Sequence, residues 1–319
     1  MHIFLTGGAG FIGSSVVDRL LEKGHAVTAF DDFNDYYNPK FKRQNLESAS
    51  KQSRFRLVEG DVANRLLVQT TLAETKPDMV IHLAARAGVR PSVQDPFLYQ
   101  RVNVEGTLNL LDAAREMGVR KFTFGSTSSV YGINSKVPFS EGDSVSNAVS
   151  PYAATKLGAE ALCRVYSQLY KMDMAVLRFF SVYGPRGRPD MAIYQFTENI
   201  LQEKPIRMFG DGSSQRDYTY IDDIVQGVVA TVDREFGHEI FNLGESETTS
   251  LRDLIGLLEA GVKKRAKIQN LPEQPGDVPK TYADISKACD MLGYRPETKI
   301  QLGIKKFVDW YMRTRAKKP

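Results

Sequence analysis

Cysteine is nearly absent from this chain of 319 residues: only Cys163 and Cys289 occur. Two cysteines build no disulfide framework, and a chain of this length does not need one to form a core. No apolar run is long enough to span a bilayer, so no membrane partner is expected. Charge of one sign is also scarce, at a net +4. The basic residues that cluster, Lys263-Lys264-Arg265 and Arg313 to Lys318, read as a solvated helix face and a frayed tail, not as a nucleic-acid surface. Histidine occurs four times. His82 lies inside a continuous apolar run and reads as a core residue, and no metal site is expected. The N-terminus leads straight into an apolar strand, so no secretory leader is expected either. There is no internal repeat and no low-complexity segment. The expected compartment is a reducing cytoplasm. The remaining composition, 42% hydrophobic and 25% charged, is that of an ordinary globular protein.

What the chain does have is a glycine-rich stretch, Leu5-Thr6-Gly7-Gly8-Ala9-Gly10-Phe11-Ile12-Gly13. It follows the apolar run Ile3-Phe4-Leu5 and precedes Ser14 to Lys23, where Val16, Val17, Leu20 and Leu21 recur at helical spacing. The glycines therefore sit where a strand turns into a helix. Gly7 is free to take backbone angles closed to a side chain. Gly10 lets a ligand approach the main chain, and Gly13 lets the helix pack close to the strand. The amides and positive dipole end of such a helix favour a pyrophosphate. Gly24 fits its C-cap. An acidic residue about 20 positions later commonly meets the adenosine ribose, and the strand Ala26–Phe30 ends there at Asp31-Asp32. A carboxylate at Asp31 repels a 2′-phosphate, which favours NAD over NADP, with Lys40, Lys42 and Arg43 as the opposing signal.

Strands and helices then alternate. Phe55–Val58 and Met79–Leu83 read as strands, the second continuous and apolar as a buried parallel strand should be. Asp61, with Val62 beside it, is placed at the adenine. Leu83, Ala84 and Ala85 close the fourth strand at the edge where open α/β sheets bind ligands. Phe97–Met117 reads as a helix stopped by Gly118, with Asn103 and Gly106 as unusual members; a buried Asn needs partners, and Asn103 is assigned to the cofactor. Lys121–Gly125 and Ala175–Phe179 are the fifth and sixth strands, and Phe179 and Val182 are assigned to the cofactor. This rhythm predicts an α/β fold, a Rossmann-type doubly wound parallel sheet.

Ser150 fits an N-cap and Pro151 a first helical position. Tyr152 and Lys156 then share a helix face, so the ammonium lies near the phenol. That cation, and the positive nicotinamide of NAD+, lower the phenol's pKa. A phenolate takes a proton from an alcohol while hydride leaves the same carbon. The run Ser126-Thr127-Ser128-Ser129 closes the fifth strand. Its hydroxyls either fill a turn or hydrogen-bond a reacting alcohol. The second reading is preferred because the glycines place the cofactor at the same edge, and Ser126 is assigned to the cofactor.

These residues resemble the extended short-chain dehydrogenase/reductase family, the nucleotide-sugar epimerases and dehydratases. The resemblance covers essentially the whole chain: Thr6 to Gly13, His82-Leu83-Ala84-Ala85, Asn103 to Thr107, Tyr152 with Lys156, and Arg178 to Pro185. It implies that Tyr152 is the base, that Lys156 also holds the nicotinamide ribose, and that Thr127 assists proton transfer. It also implies NAD as cofactor, a UDP-sugar as substrate, and a homodimer pairing Phe97–Met117 and Tyr152–Tyr170 across a two-fold axis.

From Gly184 onward the sheet pattern loosens. Residues 1–180 are expected to form the NAD-binding unit, with 219–246 returning to it, and 181–319 mostly a nucleotide-sugar lobe, with no clean linker. The segment Gly187-Arg188-Pro189-Asp190-Met191 resembles the UDP-glucuronate 4-epimerase branch of the family. Arg186 beside it suits a sugar carboxylate or a diphosphate, and Met191 is placed at the sugar. Arg216 matches the family's diphosphate ligand, and Asp277 the aspartate that meets the uridine ribose. Ile206, Met208 and Phe209 flank the uracil, or serve as core on an edge strand. The implied reaction is C4 inversion of UDP-glucuronate to UDP-galacturonate through a 4-keto sugar. Such a β-keto acid readily loses CO2, so its carboxylate must be held, with Ser128, Ser129, Ser181 and Arg186 as candidates. UDP-glucose 4-epimerase, UDP-glucuronate decarboxylase and a non-catalytic NAD-binding regulator are the alternatives. A 4,6-dehydratase is excluded, because Ser128-Ser129 stand where that chemistry uses Asp-Glu.

Overall fold

Ile3, Phe4 and Leu5 are fully buried, as a central strand covered on both faces requires. The structure is a computed structural model and describes residues 1–133, 136–272 and 278–316. Strand β1 (His2–Thr6) leads into α1 (Phe11–Glu22), β2 (Ala26–Asp31) into α2 (Pro39–Asn45), and β3 (Phe55–Glu59) into α3 (Arg65–Thr75). Strand β4 (Met79–His82) is followed by α4 (Val89–Gln94), α5 (Pro96–Tyr99), a π-helical stretch (Gln100–Glu105) and α6 (Gly106–Glu116). Strand β5 (Lys121–Thr127) leads to α7 (Pro151–Tyr170), and β6 (Asp173–Phe179) completes the series.

Beyond it lie β7 (Ser181–Tyr183), α8 (Ala192–Leu201), β8 (Pro205–Phe209), β9 (Gln215–Arg216), β10 (Tyr218–Tyr220) and α9 (Ile221–Ala230). The chain closes with β11 (His238–Leu243), β12 (Thr249–Ser250), α10 (Leu251–Val262), β13 (Lys267–Leu271), α11 (Ser286–Leu292) and α12 (Ile300–Thr314).

The main sheet has seven strands in the order β11-β6-β5-β4-β1-β2-β3, and every pairing within it is parallel. The order reverses at β1, between β4 and β2, and ligands of open α/β sheets bind outside the strand ends at such a point. The expected doubly wound sheet is present, and the late strand β11 joins it beside β6. Three two-stranded pairings, β7 with β10, β8 with β13 and β9 with β12, lie apart from it.

Local chemistry sets the boundaries that matter. Ser150 caps α7 by accepting the Ala153 N–H at 3.1 Å, with Pro151 in the first turn. Strand β5 runs on to Thr127, which carries Ser126 and Thr127 on the sheet. Strand β4 stops at His82, so Leu83 to Ala85 fall in the loop beyond the sheet edge. The helix expected over Phe97–Met117 is interrupted by the π-helical turn that contains Asn103. Such wider turns often occur at functional sites.

Candidate active site

The turn between β1 and α1 forms the floor of a cavity of about 380 Å³. Gly7 has φ +69°, and a Cβ there would lie 2.7 Å from the Ala84 amide nitrogen. A Cβ on Gly13 would lie 2.0 Å from the Gly7 carbonyl oxygen. Both positions therefore require glycine. Gly10 caps α1 without a side-chain hydrogen bond, and the first turn of the helix has no acidic residue. Its exposed amides and positive end suit a diphosphate, so the cradle fits a dinucleotide. Gly7, Gly10, Phe11, Ile12 and Gly13 all line the cavity.

At the end of β2, Asp31 accepts N–H bonds from Ala9 (3.0 Å) and Phe33 (3.0 Å). Burial raises its carboxyl pKa, and the neighbouring Lys42 ammonium opposes the shift. Lys42 is itself buried, 3.9 Å from both Asp31 and Asp32. Arg86 reaches Asp32 at 3.8 Å. Asp61 is paired with Arg101 at 2.8 Å. Asp31, Asp32, Asp61, Val62, Leu83, Ala84 and Ala85 line the cavity, joined by Tyr36, Tyr37, Lys42, Arg86 and Gly88, which sequence reasoning did not place there.

Asn103, expected at the cofactor, does not line the cavity and stands behind its wall instead. Its Oδ1 accepts the Arg86 N–H (2.8 Å), and its Nδ2 donates to the Arg86 carbonyl (3.0 Å) and the Thr155 hydroxyl (3.1 Å). It thus fastens the loop after β4 to the first turn of α7. His82 is a core residue held between Thr6 (2.7 Å) and Thr107 (3.0 Å). Burial and the Lys156 charge keep it neutral.

The opposite wall holds Ser126, Thr127, Ser128, Ser129, Tyr152, Lys156, Phe179, Ser181, Val182 and Met191. Burial raises the Tyr152 phenol above its ordinary pKa, while the nearby Thr127 hydroxyl and the charge of Arg188 pull it down. Arg188, itself paired with Asp190 at 2.9 and 2.7 Å, is the cation whose charge reaches the phenol here. Lys156 shares the helix face, as its spacing requires, but its Nζ lies 4.2 Å from the Phe124 ring centroid, where the ring face attracts it. Burial lowers its pKa to about 8. Behind this wall, Arg178 of β6 makes two hydrogen bonds to Glu160 of α7 (3.1 and 2.8 Å), and Ser126 donates to the same carboxylate.

A second chamber of about 210 Å³ adjoins the first and shares Phe11, Ser181, Val182, Arg188 and Met191 with it. Arg216 lines this chamber. Four of the expected substrate residues do not face either space. Arg186 adopts a left-handed backbone (φ +66°) and turns onto α1, pairing with Asp18 at 2.7 Å. Arg188, two residues on, takes the cavity position instead. The left-handed backbone at Arg186 turns its side chain away from the cavity, and no local sequence signal distinguishes the two arginines. Ile206 and Met208 are core residues on β8. Phe209 lies under the Arg90 guanidinium, 4.9 Å from its ring centroid. Asp277 lies outside the described residues.

The fold and the cavity define a dinucleotide-binding α/β protein. Residues 3–244 match the NAD dependent epimerase/dehydratase family. The UDP-glucuronate 4-epimerase of Thermodesulfobacterium geofontis is 44% identical over 310 residues, covering 97% of this chain and 95% of that one. The structure of UDP-glucuronic acid 4-epimerase from Bacillus cereus in complex with UDP-glucuronic acid and NAD matches at TM-score 0.92 and 38% identity, covering 98% of this chain and 99% of that one. UDP-glucose 4-epimerase of Thermotoga maritima with UDP-glucose matches at TM-score 0.91 and 33% identity, again over 98% and 99%. The chain belongs to the NAD dependent epimerase/dehydratase family, and its cofactor is NAD.

Proposed function

We propose that this protein inverts C4 of UDP-glucuronate, giving UDP-galacturonate. One observation carries the reading: Tyr152, Thr127 and the Arg188 cation meet in one wall of the cavity whose floor is the glycine turn. The similarity to UDP-glucuronate 4-epimerases supports it.

Bound NAD+ supplies a hydride acceptor that returns the hydride to the same carbon. Tyr152 takes the C4 hydroxyl proton on its phenol oxygen. Thr127 steadies the phenolate by donating to it, and Arg188 adds its charge. A phenol whose pKa burial has raised is a stronger base once ionised. Lys156 holds the nicotinamide ribose. A β-keto acid loses CO2 only when its carboxyl C–C bond aligns with the carbonyl π system. Ser128, Ser129, Ser181 and Arg188 hold the carboxylate out of that alignment while the ring turns over. Tyr152 then returns the proton to O4.

Gly7, Gly10, Gly13 and the start of α1 hold the cofactor diphosphate, and Asp31 the adenosine ribose. Arg216 holds the substrate diphosphate in the second chamber. In this reading residues 1–180, with 219–246, bind the cofactor, and 181–319 mostly bind the sugar nucleotide. A homodimer through α6 and α7 is supported by their exposed Leu108 (40%), Val165 (44%) and Leu169 (66%), with Phe97 (84%) nearby on α5. A cytoplasmic location is supported by the two free cysteines. Among the described residues no helix is long and apolar enough to cross a membrane.

The test is product analysis of the pure protein with UDP-glucuronate and no added NAD. UDP-galacturonate is expected. UDP-pentose as main product would make it a decarboxylase, turnover of UDP-glucose alone a neutral-sugar epimerase, and no turnover of any UDP-sugar a non-catalytic binder.

A further inference from the structure

We propose that the segment from Phe33 to Leu46 is a strap that retains NAD, and that Arg315, just past α12, holds it shut. The inference rests on NAD as cofactor but not on the identity of the sugar.

The strap forms the wall beside the ribose end of the cavity, through Asn34, Tyr36, Tyr37 and Lys42. It is tied to the glycine turn, because the Asn45 amide donates to the Ala9 carbonyl at 3.0 Å. A nucleotide seated beside β2 would lie against this wall. Within the first part of the chain the strap is also held by Lys42, 3.9 Å from Asp31 and Asp32, and by Arg43, 3.0 Å from Glu59. Its one helix, α2, has seven residues, too few to be stable without tertiary contacts. Its buried apolar anchors are Phe33 and Leu46, at its two ends.

The middle is fastened from the far end of the chain. The Arg315 guanidinium carbon lies 3.7 Å from the Phe41 ring centroid and 5.3 Å from that of Trp310. Arg315 Nη1 donates to Gln44 Oε1 at 2.6 Å. A second tie runs from Tyr36, whose hydroxyl donates to Asp190 at 3.2 Å. Asp190 is held in turn by Arg188 (2.9 and 2.7 Å), which lines the cavity beside Tyr152. Both fasteners thus belong to residues 181–319, so opening the cofactor site means breaking contacts with the sugar-binding side.

The experiment measures NAD in the purified full-length protein and the rate at which it is released on ultrafiltration. Wild type is expected to carry NAD and lose it slowly. Arg315→Ala should release it about tenfold faster, given a stacked cation and a charged hydrogen bond removed together. Its KM for added NAD should rise, and saturating NAD should restore its kcat. Phe41→Leu, which removes the stacking face and keeps the charge, should also speed release and decides the matter if Arg315→Ala fails to fold. Wild-type release rates in both variants, or in Phe41→Leu alone where Arg315→Ala does not fold, would overturn the strap while leaving the C4 reading intact. Wild type that neither carries nor takes up NAD would overturn both.

Discussion

Glu160 receives the Arg178 guanidinium in two hydrogen bonds, at 3.1 and 2.8 Å, and both side chains are buried. The pair joins α7 to β6 one helical turn beyond Lys156, so it fixes where the face of α7 that carries Tyr152 and Lys156 meets the sheet. Removing one member leaves the other as a buried charge. Arg178→Met is therefore expected to destabilise the fold by about 3–5 kcal/mol, measured by urea unfolding. Replacing Glu160 by Leu in the same chain should recover part of that loss. A single-variant cost under about 1 kcal/mol would show that the pair is not a structural tie.

The two neighbouring arginines should separate cleanly. Arg188→Ala removes a cation from the cavity wall, and kcat/KM for UDP-glucuronate should fall by about 10- to 100-fold, the range of a charged hydrogen bond. Arg186→Ala removes only the pair with Asp18, so kcat/KM should stay within about threefold of wild type. The reverse ranking would return the carboxylate to Arg186.

Tyr152→Phe should lower turnover by about 10²- to 10⁴-fold, the range for loss of a general base, with NAD still bound. Because burial raises the phenol, kcat/KM should climb with pH on the acid side. It should then decline as Lys156 loses its proton near about 8. A steady-state profile that stays level above that pH would show that the lysine's hold on the nicotinamide ribose does not depend on its charge.

Glu245 gives a stability prediction. Burial lifts its carboxyl from 4.5 to about 7, against the pull of Lys299. The folded protein therefore keeps a proton that the unfolded chain releases near 4.5. The contribution to stability is complete below 4.5 and is lost as pH rises through about 7. Glu245→Gln keeps a neutral amide throughout, so its Tm should fall less than that of wild type across this window. Parallel Tm profiles would show that the carboxyl titrates alike in both states.

Much of this molecule was legible from residue order because the signals are local. The turn from Gly7 to Gly13 needs glycine on its own backbone account, and the Ser150-Pro151 start of α7 follows from capping. The alternation of apolar runs with helical spacing implied the parallel sheet. The parts that were not legible depend on distant contacts. Nothing near Arg186 or Arg188 says which of the two faces the cavity. Nothing near Ile206 or Met208 says that they pack into the core and not against a ligand. Lys42 read as a signal against NAD and proved to be buried beside Asp31 and Asp32.

By itself the sequence determined the sheet, the cofactor turn and the pairing of Tyr152 with Lys156 on one helix face, because each is set by torsion angles and spacing within a few residues. Only the tertiary structure decided which cation bears on the phenol, where the Lys156 ammonium rests, and how Arg315 reaches back to Phe41. Those outcomes depend on burial and on charges brought together from opposite ends of the chain, which no local pattern encodes.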